Sequence, residues 1–172
     1  YFHKDTKIDA RLVNGSPYVK SNVYLNARLL SVDNNSESLS PEKINDLEDL
    51  IGHTPLIEIS FRYNQKNMKI YAKLEYYNLT GSIKDRIALY MLKKAYIKKQ
   101  LHDEDLILEA TSGNTGISFA AIGTYLGYNV HIYMPDWMSS ERIKLLESYN
   151  AKLHLVSKES GGFLKCIDLI NQ

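Results

Sequence analysis

Apolar and polar residues alternate with two different periods along the chain from residue 55 onward. Short apolar runs bounded by turn residues are typical of strands, whereas apolar residues three and four positions apart are typical of helices. The predicted strands cover residues 56–59, 68–74, 106–109, 130–134 and 153–156, and the predicted helices cover residues 85–100, 116–126 and 139–149. Because strands and helices alternate, the pattern predicts an α/β fold in which a parallel sheet carries helices on both faces.

A further helix is predicted ahead of this alternation. Ser40-Pro41 is typical of a helix start, with serine as the N-cap and proline at the first helical position. Three apolar residues follow at helical spacing, Ile44, Leu47 and Ile51. Gly52 then ends the segment, as glycine commonly does just past a helix.

Composition and charge exclude several classes of function. The 172 residues carry 21 Lys+Arg and 20 Asp+Glu, a net charge of +1, so a nucleic acid is not expected as the main partner. No apolar run approaches the roughly 18 residues of a membrane span, and no secretory signal is visible. A single cysteine, Cys166, excludes an internal disulfide, and the histidines show no metal-ligand spacing. We therefore expect a cytoplasmic protein with no metal site and no membrane partner.

The first turn that could carry chemistry leads into the helix over residues 85–100. Lys84 shares a helical stripe with Ala88, Met91 and Ala95, which predicts that it lies on the inner face of the first turn. Partial desolvation and the positive end of the helix dipole would then favour the uncharged amine that Schiff-base chemistry requires. The alternative, which position alone favours, is a solvated surface lysine.

The second turn precedes the helix over residues 116–126. Its residues are small or carry hydroxyl and amide groups, namely Thr111, Ser112, Gly113, Asn114 and Thr115. Backbone N–H groups and hydroxyls at such a turn can bind a carboxylate or a phosphate. An ordinary N-cap turn, in which Ser112 or Thr115 caps the helix, explains the composition equally well. Neither turn matches a dinucleotide or P-loop motif.

Both turns belong to a series of motifs that occur in order along the chain. The motifs are Ile51-Gly52-His53-Thr54-Pro55-Leu56, Ala72-Lys73-Leu74-Glu75, Gly81-Ser82-Ile83-Lys84-Asp85-Arg86, Glu109–Ile117 (EATSGNTGI), and Met134-Pro135 through Ser140-Glu141-Arg142. In order and spacing, over roughly residues 50–157, they resemble the cysteine synthase/cystathionine β-synthase family of fold-type II pyridoxal-phosphate (PLP) enzymes. Two residues depart from the family pattern, Leu79 in place of proline and His53 in place of Asn or Asp.

The resemblance implies a role for each candidate residue. Lys84 would hold PLP as an internal aldimine and also act as the general base. Asn114 would hydrogen-bond the ring hydroxyl of the cofactor. The substrate's α-carboxylate would be bound by the second turn, Thr111, Ser112, Gly113, Asn114 and Thr115.

The implied reaction is a β-replacement. A substituent would leave an activated serine such as O-acetylserine, and sulfide or a thiol would add to the resulting aminoacrylate, giving cysteine. Cystathionine β-synthase, diaminopropionate synthase and dehydratase activities of the same family stay open as alternatives. A non-catalytic truncated remnant or interaction module is the alternative of another class.

Residue patterns and the resemblance together predict how the chain is divided. Residues 1–40 match no part of the family pattern, and their turn residues and polar stretch predict an N-terminal extension and linker, with short strands at 10–13 and 22–30. Residues 41–157 would form the N-terminal lobe, and residues 158–172 would begin a C-terminal lobe that is truncated here, so the chain is expected to be a fragment. The PLP phosphate site would lie outside it, and the full-length protein would be a homodimer.

Overall fold

A computed structural model describes residues 8–12 and 40–172. Its elements are β1 (Ile8–Leu12), α1 (Pro41–Leu50), β2 (Leu56–Tyr63), β3 (Lys66–Lys73), α2 (Lys84–Ile97), β4 (Leu106–Ala110), α3 (Asn114–Tyr125), β5 (Asn129–Pro135), α4 (Ser140–Ser148), β6 (Lys152–Val156) and α5 (Gly162–Ile170). A short 3-10 turn, Glu75–Tyr77, links β3 to the loop before α2.

α1 forms as its sequence predicts. The Ser40 hydroxyl accepts a hydrogen bond from the Lys43 N–H at 3.3 Å, which caps the helix, and Pro41 occupies the first turn. Ile44 and Leu47 are buried on its inner face. The chain leaves the helix through Gly52, whose φ of +93° suits glycine.

β2 and β3 are longer than predicted and form an antiparallel hairpin, with Leu56 opposite Lys73 and Tyr63 opposite Lys66. The hairpin turns at Asn64-Gln65, where both residues have positive φ. β1 pairs antiparallel with β2, so the sheet order is β1-β2-β3. The strand predicted at 10–13 thus begins two residues earlier, at Ile8, and ends at Leu12. The predicted strand at 22–30 and most of the predicted linker lie outside the described residues.

The predicted parallel sheet is confirmed as β4-β5-β6. α3 packs on the face of β4 and β5 that carries Ile107 and Val130, and every residue from Gly116 to Gly123 is buried. Gly123 allows this approach, because a Cβ there would lie 2.7 Å from Val130 Cγ2 and 2.8 Å from Ile107 Cδ1. α3 is therefore the central helix of the core.

α5 contacts all three strands of the parallel sheet. The predicted boundary after residue 157 stays a prediction, but within the described residues α5 packs on the same sheet as the helices before it. Cys166 is fully buried on this helix. None of the helices in residues 40–172 combines the length and the apolar character that crossing a bilayer would need.

Candidate active site

Lys84 is the first residue of α2, and the loop before it is built from local hydrogen bonds. The Gly81 N–H donates to the Asn78 carbonyl at 2.9 Å, and Gly81 has a φ of +82°. The Lys84 N–H donates to the Ser82 hydroxyl at 3.1 Å. The Lys84 side chain itself is exposed and, among the described residues, has no hydrogen-bond or ion-pair partner.

The prediction that Lys84 lies on the inner face of α2 is wrong for the described residues. The buried stripe is offset by one position and consists of Asp85, Ala88, Leu89 and Leu92. Met91, which was expected on the inner face with Lys84, is 51% exposed. The reason is that Asp85, although charged, finds enough hydrogen-bond donors inside the fold to occupy the inward position that the pattern assigned to its neighbour.

Asp85 joins the two candidate turns. Its side chain is fully buried, and one carboxylate oxygen accepts from the Thr80 N–H at 2.7 Å. The other oxygen accepts from the Thr80 hydroxyl and, at 2.5 Å, from the Ser118 hydroxyl of α3. Ser118 also donates to the Asn114 carbonyl at 3.0 Å. The starts of α2 and α3 are thus neighbours, linked through one carboxylate.

A second polar network holds three of the matched stretches together around Glu75. Arg86 donates to both carboxylate oxygens of Glu75, at 2.7 and 2.9 Å, and Thr54 donates to the same carboxylate at 2.7 Å. Asn78 donates to Glu75 at 2.9 Å and accepts from the Gly52 N–H at 2.8 Å. The hydrogen bonds from Arg86, above all, lower the pKa of Glu75 from 4.5 to about 2.

The second turn is folded around the Thr111 hydroxyl. Thr111 is buried, and its hydroxyl accepts from the N–H groups of Gly113 and Gly116 at 3.2 and 3.3 Å. Gly113 is the N-cap of α3 and contributes no side-chain cap. Among the described residues, the N–H groups of Asn114 and Thr115 have no protein acceptor, as is usual in a helix's first turn. The alternative of an ordinary cap by Ser112 or Thr115 is therefore not what the structure shows, since the Thr111 hydroxyl accepts the N–H groups of the turn.

α4 supports this turn from the other side. The Ser139 hydroxyl caps α4, and Arg142 in its first turn donates from Nη1 to the Ser112 carbonyl at 2.6 Å. Ser112 and Asn114 are exposed, and Gly113 has open space where a Cβ would stand. The turn therefore presents unpaired N–H groups and hydroxyls to solvent from a backbone that is fixed on both flanks.

Several residues that shape the site were not singled out from the sequence, namely Thr80, Asp85, Ser118, Glu75 and Arg142. A usable signal was Ser118, a polar residue in a helix that is otherwise apolar there. A groove of about 510 Å³ beside α1 and α2, lined by Ile51, Leu89, Tyr90 and Ile97 among others, contains neither Lys84 nor the second turn. No group of three or more His, Cys, Asp or Glu side chains within residues 40–172 could hold a metal ion.

The donor set fits a cofactor with an aldehyde better than a metal. An exposed, unpaired amine at Lys84 can condense with a carbonyl group, and the unpaired N–H groups at the start of α3 suit an anion. The family model for "Pyridoxal-phosphate dependent enzyme" matches residues 47–172. The chain belongs to this family of pyridoxal-phosphate dependent enzymes.

Two known enzymes are similar to this chain in sequence or structure. Cysteine synthase B of Salmonella typhimurium is 43% identical over 118 residues, which are 69% of this chain and 39% of that protein. A hydrogen sulfide-producing enzyme of Fusobacterium nucleatum superposes with a TM-score of 0.74 at 52% identity, over 77% of this chain and 40% of that structure.

A third relative gives the same picture at lower identity. A cysteine synthase of Entamoeba histolytica superposes with a TM-score of 0.64 at 34% identity, over 73% of this chain and 38% of that structure. The chain thus spans about two fifths of the length of each of these three proteins. The fold-type II α/β architecture predicted from the sequence is confirmed by these superpositions.

Proposed function

We propose that the protein containing this chain makes cysteine by PLP-dependent β-replacement, with an activated serine such as O-acetylserine as acceptor and sulfide as nucleophile. The observation that carries the proposal is the adjacency of two helix starts, one bearing Lys84 and the other the turn from Thr111 to Thr115, linked through Asp85 and Ser118. The relatives named cysteine synthase support the choice of this reaction.

Each candidate site residue has a defined role in the proposed reaction. PLP, when bound, supplies an electron sink that makes the proton on the substrate's α-carbon acidic. The Lys84 amine would hold the cofactor and, as a free amine, would take that proton at Nζ. The N–H groups of Asn114 and Thr115 and the hydroxyls of the turn would bind the α-carboxylate. The exposed Asn114 side chain would hydrogen-bond the ring hydroxyl of the cofactor.

The rigid backbone of the turn serves this binding. Thr111 accepts two N–H groups and Arg142 binds the Ser112 carbonyl, so the N–H groups that remain point to a fixed place before substrate arrives. Preorganised donors of this kind lose little entropy on binding a carboxylate.

A second candidate reaction uses the same residues with cysteine as the amino-acid substrate. The C–S bond at the β-carbon would break, sulfide would leave, and water or another nucleophile would add in its place. The 52% identity to the hydrogen sulfide-producing enzyme favours this direction.

Lysine substitutions in the full-length protein test the proposal. Wild-type protein with PLP should show visible Schiff-base absorbance that borohydride fixes onto Lys84. Lys84→Ala should lose both the band and the label. Lys94→Ala, which removes another exposed lysine of α2, should keep both. A wild-type protein without the band, or a band that survives Lys84→Ala, would refute the assignment.

Product assays separate the two reactions. Cysteine formation from O-acetylserine and sulfide is compared with sulfide release from cysteine at equal enzyme concentration. A higher kcat/KM for O-acetylserine supports the first proposal, and a higher kcat/KM for cysteine supports the second. Serine and phosphoserine as substrates test for the related synthases and dehydratases of the family.

The partner and compartment expectations belong to the same proposal. A homodimer should appear in sedimentation of the full-length protein, and the cytoplasm should hold it. If purified full-length protein neither binds PLP nor turns over any of these substrates, the non-catalytic alternative is favoured instead.

A further inference from the structure

Asp85 is an unusual residue to find in the core of this chain. It is completely buried at the start of the inward stripe of α2, whose other positions are occupied by alanine and leucine. Its nearest partners are polar but uncharged, because the carboxylate accepts from the Thr80 N–H and from the hydroxyls of Thr80 and Ser118. No lysine, arginine or histidine among the described residues pairs with it.

A buried carboxylate without a cationic partner is costly for stability. Three hydrogen-bond donors and the positive end of α2 compensate for lost hydration, but an apolar residue of similar size would avoid the cost altogether. Buried polar groups of this kind are best attested where they fix one arrangement of two elements against alternatives. Asp85 therefore contributes geometry more than stability.

The geometry that Asp85 fixes is specific. Thr80 belongs to the loop that leads into Lys84, and Ser118 lies one turn after Asn114, to whose carbonyl it also donates. The apolar contacts of α2 with α3 are not directional, so they specify the relative position of the two helix starts less closely than hydrogen bonds do. Hydrogen bonds at 2.5 and 2.7 Å are directional, and they define the relative position of the two helix starts.

We propose that Asp85 is a positioning residue, which holds the Lys84 loop and the Thr111–Thr115 turn at the separation that the reaction needs. It touches neither substrate nor cofactor and acts through Thr80 and Ser118. The functional half of this inference rests on the function proposed above. A displacement of about 1 Å between reacting groups is enough to cost roughly 100-fold in rate.

Hydrogen exchange in ligand-free full-length protein tests the structural link without any activity. Asp85→Ala should speed amide exchange in two separate segments, residues 78–84 and residues 111–118. Ser118→Ala should speed exchange mainly in the second segment, because the Thr80 contacts remain. Glu75→Gln, which weakens the other network, is the matched control and should leave residues 111–118 at the wild-type rate. Wild-type exchange at 111–118 in Asp85→Ala would overturn the proposal.

Kinetics of PLP-loaded protein test the positioning role. Asp85→Ala should lower kcat/KM at least about tenfold per bound cofactor, while borohydride still labels Lys84. Asp85→Asn should recover most of this loss, because its amide oxygen can accept from the Thr80 N–H and its NH₂ can donate to the hydroxyls. A merely structural role would reduce the fraction of loaded protein and leave kcat and KM per site unchanged, and that result would refute the inference.

The two sets of measurements keep the two proposals apart. If wild-type protein fails to label at Lys84 while Asp85→Ala speeds exchange in both segments, the proposed function fails and the structural link stands. If Lys84 is labelled and only residues 78–84 respond to Asp85→Ala, the positioning role fails and the proposed function stands. Should Asp85→Ala not fold, Ser118→Ala carries both tests, because it removes the hydrogen bond from α3 to Asp85: exchange at residues 111–118 should speed up and kcat/KM should fall while Lys84 is still labelled, and wild-type values for both would overturn the proposal.

Discussion

Replacing Gly116 by alanine should destabilise the protein by forcing the second turn apart. A Cβ at Gly116 would lie 2.2 Å from Thr111 Cγ2 and 3.5 Å from Ile132 Cγ2. Thr111 is buried and its hydroxyl holds the N–H groups of Gly113 and Gly116, so it cannot rotate away without breaking these bonds.

The size of the effect follows from three contributions. Overpacking of this kind costs about 1 to 3 kcal/mol. Loss of at least one Thr111 hydrogen bond adds about 1 kcal/mol. Alanine is a better helix former than glycine and returns about 1 kcal/mol. The free energy of unfolding should therefore fall by roughly 2 kcal/mol, dominated by the overpacking contribution.

The matched control lies three residues away. Gly113 has nothing within 4 Å of a built Cβ, and its φ of −150° is open to any residue. Gly113→Ala should therefore leave the free energy of unfolding within about 0.5 kcal/mol of wild type. Both variants are compared by urea denaturation without ligand. Equal losses in the two variants, or no loss in Gly116→Ala, would refute the packing argument.

Three further expectations concern pH and the flanks of the site. Glu75 has a folded-state pKa of about 2 because an arginine pairs with it. The ionised carboxylate therefore stabilises the fold by roughly 3 kcal/mol at most above pH 4.5, and this contribution is lost as the pH falls toward 2. Glu75→Gln should flatten that part of a curve of unfolding free energy against pH. Burial lowers the pKa of His131 and His154, whose nearest ring nitrogens lie 3.2 Å apart. The unfolded chain therefore binds protons more readily, so the free energy of unfolding should already decline below about pH 6.5. The double variant His131→Asn/His154→Asn should remove that decline. Arg142→Lys loses the Nη1 contact to a turn carbonyl and should raise KM for the amino acid several-fold with little change in PLP content, measured by steady-state kinetics and cofactor absorbance.

The order and type of most elements could be predicted because the hydrophobic periodicity agrees with the capping and turn residues that mark where the elements begin and end. α1 has its serine cap and glycine end, and α3 is apolar on all sides. The antiparallel hairpin was harder to predict from the sequence. Asn64-Gln65 lacks the glycine that usually marks such a tight turn, and the two runs it joins were predicted as shorter strands.

The candidate site divides in the same way. The two turns were found from residue types alone, because small and hydroxyl residues before a buried helix are visible in the sequence. The inward residue of α2 was misplaced from Asp85 to Lys84. The periodicity argument places Lys84 on the apolar stripe, and only three-dimensional neighbours, here Thr80 and Ser118, show that the buried stripe starts at Asp85 instead.

The matched stretches constrain the scaffold more than the reacting group. The side chains of Glu75, Arg86, Asp85 and Arg142 all have partners inside the described residues, whereas the Lys84 side chain has none there. Substitution of a paired residue removes hydrogen bonds and leaves buried partners unsatisfied, which lowers stability. Substitution of Lys84 removes only an exposed side chain. The free energy of unfolding of Lys84→Ala should therefore lie within about 0.5 kcal/mol of the wild-type value, even though the variant loses the Schiff base. A large stability loss in Lys84→Ala would mean that the amine has a structural partner, and its assignment as the group kept free for chemistry would then fail.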